Sequence, residues 1–138
     1  MPAFAHPAAP DLSPNDSAVL ALVQTAAGPL SAYDIMDKMR PARPRIAPPT
    51  VYRALHRLVS GGLVQRIESL NAWVPRSNNA PAEGGIITIC DDCGTVGEYA
   101  APEAMAAISG ALGPTGFHPG RPVIEVHGRC NSCEGVAA

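Results

Sequence analysis

Apolar and polar positions along the first half of the chain recur with the period of a helix, three times over. From Asp16, the run DSAVLALVQTAA sets Val19, Leu20, Leu22, Val23 and Ala26 at helical spacing, and Gly28-Pro29 stops it. A second helix follows Ser31, whose hydroxyl can cap it, with Asp34 three residues on as the reciprocal member of a capping box. Ile35, Met36 and Met39 form its apolar side and Pro41 ends it. The third helix is predicted over residues 50–60, with Pro49 suited to its first turn. Val51, Leu55, Leu58 and Val59 make a dry stripe, while Thr50, Tyr52, Arg53, His56 and Arg57 fall largely outside it. Gly61-Gly62 supplies the left-handed stop. LVQRIES and NAWVP, hinged at Ser69-Leu70-Asn71, then read as a hairpin.

Three helices followed by a hairpin make a winged helix-turn-helix, in which the second helix of the motif enters the major groove of double-stranded DNA. Residues 76–85 (RSNNAPAEGG) are polar and turn-rich and mark a boundary. Beyond them IITIC alternates as a strand into Cys90, and residues 95–98 continue a short one. Residues 102–112 form a helix with Met105, Ile108 and Leu112 facing inward, 114–122 a loop, and 123–127 a strand leading to the last cysteines. The chain is therefore α+β: a flexible tail over 1–15, a winged-helix domain over 16–76, a hinge over 77–85 and a small α/β domain over 86–138.

Charge changes this picture. The formal charge is −2, yet seven of the ten basic residues lie within residues 38–66, a stretch of 29 residues without one Asp or Glu. That segment is +7, and the remainder, with 3 basic and 12 acidic residues, is −9. So concentrated a field is the footprint of a polyanion site. At the start of the third helix, Arg53 can pair with a guanine edge, and Tyr52 with a thymine methyl or a phosphate, beside Thr50. Arg43, Arg45, Arg57 and Arg66 are cast as phosphate contacts, which position without reading sequence. Arg43 and Arg45 lie in PARPRIAPP, whose four prolines exclude regular structure and hold the two arginines away from the body. The plainer alternative is a solvated basic face, which must still explain the acid-free stretch.

Apolar residues make up 46% of the chain, enough for a core, and aromatics only 4%, so that core is built from Ala, Val, Leu and Ile. No apolar run approaches the ~18–20 residues of a membrane span. Residues 1–10 lack a basic start and are broken by Pro2, Pro7 and Pro10, unlike a signal peptide. The expected location is the cytoplasm, where thiols stay reduced. The only cysteines are Cys90, Cys93, Cys130 and Cys133, two C-x-x-C pairs. Each pair can bite one metal from a tight turn, with Gly94 and Gly135 following, and together they match a tetrahedral Cys₄ structural zinc site. Two disulfides and a redox C-x-x-C are the alternatives, the first disfavoured by compartment and the second by the matching pairs. Nucleophile–base sets, phosphate-cradling glycine loops and open metal sites are not legible, so neither an enzyme nor a small-molecule substrate is expected.

With these motifs in hand, the chain resembles the ferric uptake regulator family, and within it the zinc uptake regulator branch. The resemblance is carried by PLSAYDI at the second helix, PPTVYRAL at the third, GLV…RIESLNA in the hairpin, ICDDCG and IEVHGRC. It implies a winged-helix domain, an α/β dimerisation domain with a Cys₄ zinc, and homodimers on palindromic, A·T-rich operators. It also implies that Tyr52 and Arg53 read bases. Zinc-sensing members hold a second, regulatory metal at the hinge through a wing His, a following Cys, a His before the first C-x-x-C and a Glu after it. Those positions align here with Gln65, Pro75, Glu83 and Glu98, and the linker SNNAPAEGG has no His or Cys. Carboxylates alone hold zinc weakly, so DNA binding without hinge sensing is expected. Glu83, Glu98 and His118 are the remaining candidates for a degenerate regulatory site. A zinc-stabilised protein-interaction module with only nonspecific nucleic-acid binding is the competing function.

Overall fold

A computed structural model describes residues 12–76, 85–120 and 122–136. The chain divides into two compact units, Met1–Arg76 and Ser77–Ala138.

In the N-terminal unit, α1 spans Pro14–Thr25, earlier than its apolar period suggests. Ser13 is the reason: its hydroxyl accepts the Asp16 N–H at 3.1 Å, and Pro14 costs the first turn no needed donor. Residues 12–15, expected in the loose tail, therefore belong to the fold, and Leu12 packs against the core. Helix α2, Ala32–Met39, carries the predicted capping box, with both Ser31–Asp34 bonds at 3.1 Å. Helix α3, Pro48–Ser60, begins with two prolines and stops where Gly62 takes φ +75°.

Between α2 and α3 the prolines do not make an extended arm. They fold into successive turns, with Arg43 N–H bonding Met39 C=O at 2.8 Å and Ile46 N–H bonding Arg43 C=O at 3.0 Å. Fixed φ angles near −65° exclude a strand but suit turns. Strand β1, Val64–Ile67, pairs antiparallel with β2, Ala72–Pro75, from Val64↔Pro75 to Ile67↔Ala72. A 3₁₀ turn over Glu68–Leu70 and Asn71 at φ 48° join them. Leu30 and Trp73 exchange backbone bonds of 3.1 and 2.8 Å, fastening the approach to α2 onto the hairpin. Val19, Val23, Ile35, Met39, Val51, Leu55, Leu58, Val64 and Trp73 form the core between these elements.

In the C-terminal unit, β3 (Gly85–Cys90) lies between β4 (Val96–Tyr99), antiparallel, and β5 (Val123–Gly128), parallel. Register runs Ile86↔Tyr99 to Ile89↔Val96 on one side and Gly85↔Val123 to Cys90↔Gly128 on the other. Helix α4, Pro102–Leu112, occupies the predicted residues, but only Met105 is buried; Ile108 and Leu112 are half-buried. Helix α5, Asn131–Val136, has no counterpart in the sequence reading. Gly135, expected in a turn after the last cysteine, lies inside this helix. No helix among the described residues is long and apolar enough to cross a membrane.

Candidate nucleic-acid interface and metal centre

Helix α3 buries Val51, Ala54, Leu55 and Leu58 and leaves Tyr52, Arg53, His56 and Arg57 exposed, with Thr50 half-buried. Its start differs from those of α1 and α2. Those helices have a serine cap and an aspartate in the first turn. Helix α3 has Ala47 as N-cap, no side-chain cap bond and no acid in its first turn. Among the described residues, the positive end of its dipole thus has neither a capping side chain nor a first-turn acid.

Tyr52 and Arg53 stand at that end. The Tyr52 ring meets Trp73 of the hairpin edge-on, with centroids 6.0 Å apart and planes at 71°, yet stays 40% exposed. Arg53 is exposed, and its Nε donates to the Pro49 carbonyl at 3.2 Å, laying the side chain back along the first turn. Arg45 is exposed in the turns before the helix.

The other three arginines are engaged inside the unit. Arg43 is not held away from the body: it bonds the Asn15 side chain and, at 3.2 Å, the Pro14 carbonyl. Arg57 donates from Nε and Nη2 to the two Asp16 carboxylate oxygens at 2.9 and 2.7 Å. That bond holds the Asp16 carboxyl below the usual carboxylate range, against the opposing pull of burial, and raises Arg57 further. Arg66 lies 5.6 Å over the Trp73 ring, bonds Asn71 at 2.8 Å and pairs with Glu68 at 2.9 Å. Sequence reasoning took Asp16 only as the start of a helix, and nothing local couples it to Arg57.

The four cysteines converge. Their Sγ atoms all lie within 4.8 Å of one another, and Cys93 and Cys130 are 3.7 Å apart. A tetrahedral zinc with bonds of about 2.3 Å requires sulfur–sulfur edges of about 3.8 Å, so the residues fit the ion. The first pair comes from a knuckle in which Gly94, at φ +76°, donates to the Cys90 carbonyl at 2.9 Å. The second pair straddles the start of α5. Backbone N–H groups of Cys130 and Cys93 point at Cys90 Sγ at 3.4 and 3.5 Å and lower its thiol to about 6. The Thr95 hydroxyl, 3.0 Å away, lowers Cys93. Hydrogen bonding to the Cys130 and Cys90 sulfurs pushes Cys133 up to about 12, a proton that a metal cation would replace. Four thiolates leave no open position for substrate or water, so zinc here organises structure.

The knuckles are also joined across the centre. His127 Nδ1 lies 2.9 Å from Asp91, and Arg129 Nε donates to Asp92 at 2.7 Å. Of the remaining sequence candidates, Glu98 is half-buried on β4 and His118 is exposed after α4, neither within the cysteine cluster. Glu83 lies outside the described residues. Gln65 is buried and donates to the Arg66 carbonyl at 2.9 Å.

The model of the ferric uptake regulator family matches residues 12–127. The chain is 38% identical over 128 residues to the zinc uptake regulation protein of Escherichia coli (strain K12), covering 92% of this chain and 75% of that one. Its fold is similar to that of a zinc uptake regulator complexed with zinc and DNA, with a TM-score of 0.83 and 37% identity over 91% of this chain and 84% of the other. It is also similar to holo XcZur, with a TM-score of 0.79 and 34% identity over 90% and 86% of the two chains.

Proposed function

This chain belongs to the ferric uptake regulator family, and we propose that it is a homodimeric transcriptional repressor of the zinc uptake type that binds palindromic DNA. The observation that carries the reading is the start of α3: uncapped, acid-free and exposed, with Thr50, Tyr52 and Arg53 on it. Inserted into a major groove, Arg53 would take a guanine edge in a bidentate pair, and Tyr52, braced on Trp73, would meet a thymine methyl or phosphate. Arg45 and the free end of the helix dipole supply backbone contacts. The same unit occurs in a relative complexed with zinc and DNA.

The C-terminal unit supplies the second copy. Tyr99, Phe117, Val123 and Val126 are 44–60% exposed there, and β5 is an edge strand. Open apolar surface and an edge strand among the described residues favour a self-complementary, two-fold contact, which matches a palindrome. Cys90, Cys93, Cys130 and Cys133 hold one structural zinc per protomer. A DNA-bound regulator of this kind works in the cytoplasm, where these thiols stay reduced. With Gln65 and Pro75 at two hinge positions, regulation does not run through a sensor-type zinc site. Glu83, Glu98 and His118 offer at most a weak, unselective second metal site.

Selection from a randomised duplex library, followed by gel-shift titration with and without chelator, tests the reading. Arg53→Ala should cost about 1–3 kcal/mol on the selected duplex and far less on unrelated DNA. Equal loss on every sequence would favour the interaction-module alternative. Metal analysis should return one tightly held zinc per protomer; two would restore the hinge site.

A further inference from the structure

We propose that Asp16 and Arg57 are positioning residues for the DNA-reading helix: a carboxylate–guanidinium clasp that sets the pose of α3 against α1, with Arg57 acting as an anchor inside the unit and not as a phosphate contact. The inference rests on the DNA-binding reading above and deepens it. Asp16 lies in the first turn of α1 and Arg57 in the last turn of α3, 41 residues apart in sequence. Both carboxylate oxygens receive a guanidinium donor, at 2.9 and 2.7 Å. The Asp16 side chain is 7% exposed and that of Arg57 53%, so the acid is committed to the interior while the guanidinium sits at its mouth.

Arg43 makes the arrangement two-sided. It lies in the turns just before α3 and bonds Asn15 and the Pro14 carbonyl. The single turn Pro14–Asn15–Asp16 of α1 thus receives one arginine from before α3 and another from its end. The apolar stripe of α3 decides which face points inward, but Val, Ala and Leu tolerate small slides and tilts. A planar fork on a carboxylate is directional and resists both. Arg53 and Tyr52 lie four and five residues before Arg57, about one turn along the same rigid helix, so an error in the pose at Arg57 is carried directly to the bases. The acid-free stretch over 38–66 has no carboxylate of its own for this purpose, and α1 supplies it.

The experiment compares wild type, Arg57→Gln, Arg57→Lys, Asp16→Asn and the Asp16→Asn/Arg57→Gln double variant. Affinities for the selected duplex and for unrelated DNA are measured across a range of salt concentrations. Arg57→Gln and Asp16→Asn should each weaken the selected duplex roughly tenfold, with the double variant no worse than either, as coupled residues require. Unrelated DNA should change little, and the slope of log affinity against log salt should not move. Loss of a phosphate contact would instead flatten that slope by about 0.9 per contact, with Arg57→Lys restoring it, and would overturn the proposal. Tighter binding with a steeper slope in Asp16→Asn would overturn it too, by showing that Asp16 merely masks a DNA-binding arginine. If wild type selects no sequence, the functional reading fails and thermal unfolding judges the clasp alone. Equal, non-additive losses of Tm support it, and additive losses sink it.

Discussion

Val19, Ile35, Leu55, Leu58 and Ile67 of the N-terminal unit are less than 2% exposed, whereas the C-terminal unit buries, among its described apolar residues, Ile87, Ile89, Cys90 and Met105. The first unit closes around a core drawn from three helices and a hairpin. The second has a three-stranded sheet with large apolar side chains still open and four thiols drawn to one point. Units of about 60 residues are marginal even with a good core, and a thin one needs a metal, a partner or both. The N-terminal unit should therefore stand alone, and the C-terminal unit should depend on its ion. The two halves of the chain are then held together by different means, and each should break without the other.

Zinc removal makes the largest break. Structural zinc sites in small domains carry apparent binding energies of about 10–16 kcal/mol, which become folding energy where the site does not preform. Cys130→Ser, or prolonged chelation, should unfold residues 85–136 and abolish the dimer while the amide spectrum of residues 12–76 persists. A folded dimer surviving either treatment would mean that the sheet and helices suffice, and the contrast between the units would be gone.

Leu55→Ala tests the other half. Leu55 is 1% exposed at the centre of α3's buried stripe, and a cavity there should cost about 2–5 kcal/mol. Calorimetry should show one transition lowered and the zinc-dependent transition unmoved. A single transition that moves as a whole would show that the units unfold together.

Acid should separate the units by order. Thiolates must protonate for zinc to leave, so the C-terminal unit fails first as pH falls. Asp16 acts later. Its folded pKa is depressed by Arg57, so its stabilisation is complete above the ordinary carboxylate value of about 3.9 and is lost as pH falls through the lower folded value. In a pH series on the N-terminal signals, Asp16→Asn should remove that last acid-sensitive step. An unchanged acid profile would show that Asp16 and Arg57 do not stabilise the unit.

These differences were unequally legible beforehand. Helices α1, α2 and α3 and the hairpin carried their own period and their own stops, from Ser31 and Asp34 to Gly61-Gly62. The cysteine centre was legible because ligand chemistry depends on residue type and spacing. Arg57 was not, since its partner is 41 residues away and only packing brings them together. Arg43 misled because prolines forbid a strand but are equally at home in tight turns. Helix α5 is six residues long, too short for a period to emerge from NSCEGV.

The smallest effect belongs to the bridges across the cysteine centre. Arg129–Asp92 at 2.7 Å and His127–Asp91 at 2.9 Å join the first knuckle to residues flanking the second, but all four side chains are 37–59% exposed. Exposed pairs of this kind contribute about 0–1 kcal/mol and weaken as salt rises. Arg129→Ala should therefore leave the unit folded with its zinc, and should make the ion only slightly easier to extract by a chelator. The difference should shrink between low and high salt. If Arg129→Ala instead emptied the site as Cys130→Ser does, the ion would be following the bridges, and the metal could no longer be what distinguishes this half of the chain from the other.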